Sequence, residues 1–352
     1  MPNKNTKTWA SLVIAVATLA GVSNQIAAAD PIADFYRGKK VEVMIGFGSG
    51  EAYDTYARIL AKYMQKYLPG NPLFVPEDMP GAGSLNAANT IYNIAPKDGT
   101  AFGTTHRFVP LMPLLGVQGP KFDPLKYTYI GSMNRENTLC ISWKGSGIDT
   151  IQDAVTHEFT VGTTGAGAEL TTFNSTLSHL LGLRLKVVSG YQTSLEVDLA
   201  MSRGEVQGRC GVSYGTLKNT EPDWLANNKV DILLQLGLSK DPELPNVPLF
   251  GDLVKDQRDR QALQLMLAPA EIGRPFFGPP DIPAERTAAL RTAFDAATKD
   301  PQLIEEAAKQ RLGVSPVSGA DMQALIERAY RSPQPVIDRA RALVASGAGG
   351  IN

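Results

Sequence analysis

The stretch VEVMIGFGSGEAYDTYARILAKYMQKYLPGNPLFV, residues 41–75, decides the fold. VEVMIGF (41–47) is a short apolar run of the kind that forms a buried strand. GSGEAYD (48–54) breaks it. Tyr53, Tyr56, Ala57, Leu60, Ala61, Met64 and Tyr67 then recur at helical spacing, which predicts a helix from about Tyr53 to Leu68. PGNP (69–72) stops that helix, and LFV (73–75) is a second strand. MPGAGS (79–84) turns the chain into a helix near 85–93, and KDGTAFGTT (97–105) supplies a turn and a third strand. Strand and helix alternating at this spacing require parallel pairing through crossovers, hence an α/β sheet.

The middle of the chain repeats the pattern. TLCISW is strand-like, DTIQDAV (149–155) is helical, and EFTVGTTGAG (158–167) is a strand entering a Gly-rich turn. Helix ELTTFNSTLSHLLG (169–182), strand RLKVVSGY, helix QTSLEVDLAMSRG and strand EVQGRCGVS follow, then a helix to about Asn227 and strand VDILLQLGL. Helices over 283–298, 301–311 and 319–345 fill most of the C-terminal third, with DPELPNVPLF and RPFFGPPDIP as Pro-rich connections where the chain can cross between lobes.

The 352 residues are 43% hydrophobic and 20% charged, which is ordinary for a folded globular protein and excludes disorder as the main state. The net charge of -1 argues against a nucleic-acid partner. Two cysteines and three scattered histidines, His106, His157 and His179, make no metal-site spacing. No cofactor is called for. Lys4 and Lys7, the uncharged run ASLVIAVATLAGV (10–22) and Ala27-Ala28-Ala29 have the three-part layout of a signal peptide over 1–29, cleaved near Ala29. The mature chain then starts at Asp30 with 32 basic and 35 acidic residues, outside the cytoplasm. In an oxidising compartment Cys140 and Cys210 are either bridged or two separate buried thiols.

Two segments share one design. Gly46-Phe47-Gly48-Ser49-Gly50 and Gly162-Thr163-Thr164-Gly165-Ala166-Gly167 each join a strand to a helix. Glycine lets a ligand approach the backbone closely, and the following helix start offers unpaired N–H groups and a positive dipole end. Two such turns facing each other hold a small carboxylate without requiring an arginine. Four or five charged hydrogen bonds, less ordering costs, reach the ~8 kcal/mol of micromolar binding. A nucleotide phosphate fits less well, because neither turn completes a phosphate-loop or dinucleotide motif. Asp54 suits the helix dipole and can pair with Arg58. Glu51 puts negative charge beside the anion site; it either faces solvent or selects a ligand bearing an amine or amide. His106 and Arg107 fall where a parallel sheet meets its cleft, or form a solvated surface pair. Ser84 reads as a helix cap. Gly211-Val212-Ser213-Tyr214-Gly215 matches G-x-S-x-G, but no histidine follows it to complete a triad in that order, so Ser213 is read as ending a strand at the cleft.

GFGSGEAYDTYAR (46–58), PGNP (69–72), MPGAGSLNAAN (79–89), APKDGTAFGT (95–104), VGTTGAGAE (161–169), GYQTSLEVDLAMSRGEVQG (190–208) and FGPPDIPAERTAALRTAFDAATKDPQL (277–303) together resemble the substrate-binding proteins of tripartite tricarboxylate transporters, the Bug-type family. The resemblance covers essentially the whole mature chain. It implies an α/β, type II periplasmic-binding-protein-like fold with two lobes closing over a small carboxylate. On that basis 30–132 form the first part of lobe one, 133–255 lobe two, and 256–352 a return segment and C-terminal helices mostly in lobe one. The resemblance carries ligand contacts onto Gly48, Ser49, Gly50 and Tyr53 on one side and Thr163, Thr164, Gly165 and Ala168 on the other, with Thr105 and His106 lining the cleft. It implies a periplasmic monomer that serves the membrane subunits of a tripartite transporter. A secreted serine hydrolase using Ser213 and a ligand-sensing partner of a membrane sensor kinase are the alternatives. The chain departs from the family in having GSGEAYD for a plainer GGGTD-like turn, and Ala168-Glu169 where a serine is common. These departures favour an aromatic, amidated or zwitterionic acid over an ordinary dicarboxylate.

Overall fold

The computed structural model describes residues 30–164 and 169–345, with backbone only for 169–172. The expected signal segment 1–29 lies outside the described residues, as do Gly165 and Ala168. The apolar spacing after residue 52 becomes the helix Ala52–Tyr67. Its Tyr56, Ala57, Leu60, Ala61 and Met64 are buried with Leu290, Ala293 and Phe294 of the helix Ala284–Ala297. Gly70 and Asn71, both at positive φ, turn the chain back after that helix.

The first sheet contains β1 (Lys40–Ile45), β2 (Leu73–Asp78), β3 (Ala101–Thr104), β4 (Thr128–Ser132), β10 (Pro275–Gly278) and β11 (Val317–Ser318), in the order β11-β4-β10-β3-β1-β2. The second contains β5 (Thr138–Trp143), β6 (Phe159–Thr163), β7 (Leu185–Ser189), β8 (Gly208–Ser213) and β9 (Val230–Leu236), in the order β7-β6-β8-β5-β9. The expected crossovers are present: β1 is parallel to β2 and β3, and β6 is parallel to β7 and β8. Each sheet is nevertheless mixed. β5 runs antiparallel to β8 and β9, and β10 runs antiparallel to β3 and β4. These two strands are the ones through which the chain enters each lobe from the other, so their direction is set by the crossing and not by a local βαβ unit. Cys140 and Cys210 are register partners across β5 and β8 and form a disulfide, which decides between the two readings of that pair.

Three expectations change. The connection RPFFGPPDIP contains β10, whose four residues are all buried. A helix, Gln257–Leu267, forms where none was expected. The helix expected over 319–345 is two helices, Gly319–Tyr330 and Gln334–Ala345, because Pro333 lacks an N–H and disfavours helical geometry at Ser332. The break lets the last helix leave the first sheet's helices and pack against Gln257–Leu267 and Glu169–Leu181.

Candidate functional site

The carboxyl ends of β1 and β3 face the carboxyl ends of β6, β7 and β8 across a cavity of about 110 Å³. This is where ligands bind in open α/β sheets. One wall is formed by Phe47, Glu51, Tyr53, Ser84, His106 and Arg107, and the other by Thr164, Tyr191, Ser194, Arg209, Ser213 and Thr216. Phe47 and Tyr53 stack face to face with centroids 4.0 Å apart. Tyr53 Oη donates to Gly273 O at 3.0 Å and accepts from Arg107 N at 3.3 Å, which fixes this aromatic wall between three segments.

Of the residues singled out from the sequence, Tyr53, His106, Thr164 and Ser213 border the cavity together. Thr105 and Thr163 are buried at the strand ends behind them, and Ser49 and Gly50 are exposed. The Gly48 and Gly50 amides are engaged by the chain's own carboxylates. Gly48 N donates to Glu51 Oε1 at 2.9 Å, and Gly50 N donates to Asp54 Oδ2 at 2.8 Å. Asp54 also pairs with Arg58 at 2.5 Å, as its spacing suggests. Glu51 does not face solvent: it is 6% exposed. Burial pushes its carboxyl up, against hydrogen bonds from Gly48 and Ser194 and the nearby Arg209 charge. Ser84 stands at a helix N-cap position, but its φ of 73° turns it away from capping, and Oγ instead donates to Gly46 O at 2.9 Å.

The sequence placed Arg107 at the cleft edge, with a surface pair as the alternative, but gave no sign of Arg209 and Arg274 there. Arg107, 1% exposed, is no surface residue; Nη1 donates to Glu136 O at 2.6 Å and Nη2 to Thr138 Oγ1. Arg209 is ion-paired with Asp198 on the helix Ser194–Ser202, and Nη1 also donates to Ser194 O at 3.3 Å. Arg274 is ion-paired with Glu136 and donates to Ser213 Oγ at 2.9 Å and Thr216 Oγ1 at 3.1 Å. Its guanidinium lies 4.2 Å from the Tyr53 ring centroid, so one side chain ties β10 to the second lobe and to the aromatic wall. The available signal was an arginine inside each apolar run, VQGRCGVS and GRPFFG, where a charge must be paired to be buried.

The same geometry bears on the G-x-S-x-G match. Ser213 caps the helix Tyr214–Thr220, and its hydroxyl contacts Thr216 and accepts from Arg274. An arginine donor at this oxygen cannot take its proton, as a catalytic base must. Among the described residues, no group of three or more His, Cys, Asp and Glu side chains is placed to hold a metal ion.

No family model matches the sequence. The chain is similar to the UPF0065 protein of the TAR-I ttuE-ttuC′ intergenic region in Agrobacterium vitis, with 28% identity over 299 residues, 81% of this chain and 78% of that protein. Its fold matches the periplasmic binding protein BugD (TM-score 0.67, 20% identity, 89% of this chain and 99% of that one). It also matches MatC from Rhodopseudomonas palustris with bound malate (0.68, 18%, 87% and 99%) and a TctC solute-binding protein from Polaromonas (0.60, 16%, 88% and 99%). The architecture is therefore that of the periplasmic solute-binding proteins, two α/β lobes about a cleft. The resemblance to the Bug-type family read from the motifs is borne out, in sequence by the Agrobacterium relative and in fold by BugD and TctC.

Proposed function

We propose that this chain is an extracytoplasmic solute receptor that closes its two lobes over a small carboxylate and delivers it to the membrane subunits of a tripartite tricarboxylate-type transporter, without catalysis. The observation that carries the reading is the cavity walled by both sheets at their carboxyl strand ends, with Tyr53 and His106 on one side and Thr164, Arg209 and Ser213 on the other. Closure follows from that placement, since the ligand gains its full contact set only when both walls meet it. MatC with malate and an R. palustris protein with adipate, 18% identical to this chain, bring the same ligand chemistry to the same fold. The signal-peptide reading of 1–29 supports the extracytoplasmic location, and a monomer suffices because both walls come from one chain.

A thermal-shift screen against mono-, di-, tri- and aromatic carboxylates tests the reading. At about 100 times Kd a true ligand adds roughly 2.7 kcal/mol of stability. A flat response across all four classes would remove it.

A further inference from the structure

Two helix starts meet at the cleft, those of Ala52–Tyr67 and Ser194–Ser202. The place between them is already filled by an anion of the chain's own. Glu51 Oε1 accepts from Gly48 N, and the carboxylate borders the same cavity as Ser194 and lies close enough to it to be favoured by it. Glu51 thus lies between the turn after β1 and the start of the second lobe's helix Ser194–Ser202. Arg209 borders the same cavity, is 2% exposed, and uses Nη1 for Asp198 and Ser194 O, while its Nε has no hydrogen-bond partner among the described residues. A buried guanidinium N–H left unpaired is costly, and a carboxylate is its best-matched acceptor.

We infer that Glu51 occupies one carboxylate subsite of the cleft and that Arg209 anchors the ligand's single carboxylate, making this a receptor for small monocarboxylic acids. The inference rests on the carboxylate reading above and narrows it. A second ligand carboxylate brought to Gly48 and Ser194 meets Glu51 in a poorly hydrated site, where like charges repel strongly. A neutral tail meets instead the stacked Phe47 and Tyr53 rings.

The test is titration calorimetry on matched acids that differ by one carboxylate: butyrate against succinate, hexanoate against adipate, and benzoate against phthalate. Wild type is expected to bind the better monoacid at least about tenfold more tightly than its diacid partner, a difference of ~1.4 kcal/mol. Glu51→Ala is expected to narrow or invert that ratio, while Glu51→Gln, which keeps an acceptor at Gly48, is expected to move it less. Arg209→Gln is expected to weaken the monoacid by about tenfold or more. Thermal melts verify that each variant folds, and the wild-type ratio decides the matter even where a variant does not. Diacids preferred by wild type, or a ratio unchanged in folded Glu51→Ala, would overturn the inference and leave the carboxylate receptor standing. No heat with any acid would overturn both.

Discussion

Arg274 has no solvent exposure, and its charge is tolerated because Glu136, Ser213 and Thr216 surround the guanidinium. Removing one partner of a buried pair leaves the other uncompensated, at a cost of about 3–5 kcal/mol. Arg274→Met is therefore expected to lower the unfolding free energy from urea titration by that amount, and Arg274→Met with Glu136→Gln to recover part of it. A second residue sets a pH dependence. Burial first, and Asp198 second, push the Glu221 carboxyl from 4.5 up to about 7. A carboxyl raised in the folded state binds its proton more tightly there than in the unfolded chain. Its contribution is thus fully present below about 4.5 and is lost as pH rises through 7. Unfolding free energy is expected to fall over that interval, and Glu221→Gln to flatten the fall; an unchanged slope would exclude Glu221 as its source. At this scale the site was only partly legible. His106 and Ser213 were found because strand ends in α/β sheets meet at the cleft, and Tyr53 and Thr164 through the family resemblance. Arg209 and Arg274 were not, since a charge within an apolar run shows its partner only once distant segments have met. Glu51 looked out of place until its donor Gly48 and Ser194, 143 residues further on than Glu51, were seen to border one cavity with it.

Elements with a local cause were the most readable. The helix Ala52–Tyr67 follows from its apolar period and its Gly-Asn stop, and the helix Leu85–Asn93 has the expected bounds. β4 and β10 lack such a cause. Their pairing partners lie far away in sequence, and Phe276 and Phe277 sit among prolines that signal a loop. Pro333 was read through as helix, although the rule for the residue before proline marks the break. The disulfide belongs to this scale too. It joins adjacent strands and closes a separation of 70 residues. Replacing Cys140 and Cys210 together with alanine is expected to cost roughly 2–5 kcal/mol, read as a lower denaturant midpoint than that of the oxidised parent. Equal midpoints would show that the bridge does not constrain the unfolded chain. Gly103 in β3 makes a further test. A Cβ there would collide with Met44 O and Ile91, so Gly103→Ala is expected to destabilise by about 1–3 kcal/mol.

For the whole molecule, the two crossings place β5 and β10 antiparallel to the strands they pair with, and the segments beside them carry Glu136 and Arg274. The Arg274 side chain beside one crossing donates to Ser213 and Thr216, two residues of the cavity wall, and so ties that crossing to the second lobe. No helix among the described residues is long and apolar enough to cross a membrane. Everything proposed of the molecule's function requires a small acid to bind between the lobes. The most direct measurement is a crystal structure of the protein with the tightest-binding acid of the panel. The acid is expected to be enclosed by Tyr53, Arg209 and Ser213, with both sheets contributing contacts. An acid seated on the outer surface of one lobe, with the space between the sheets unchanged, would contradict it.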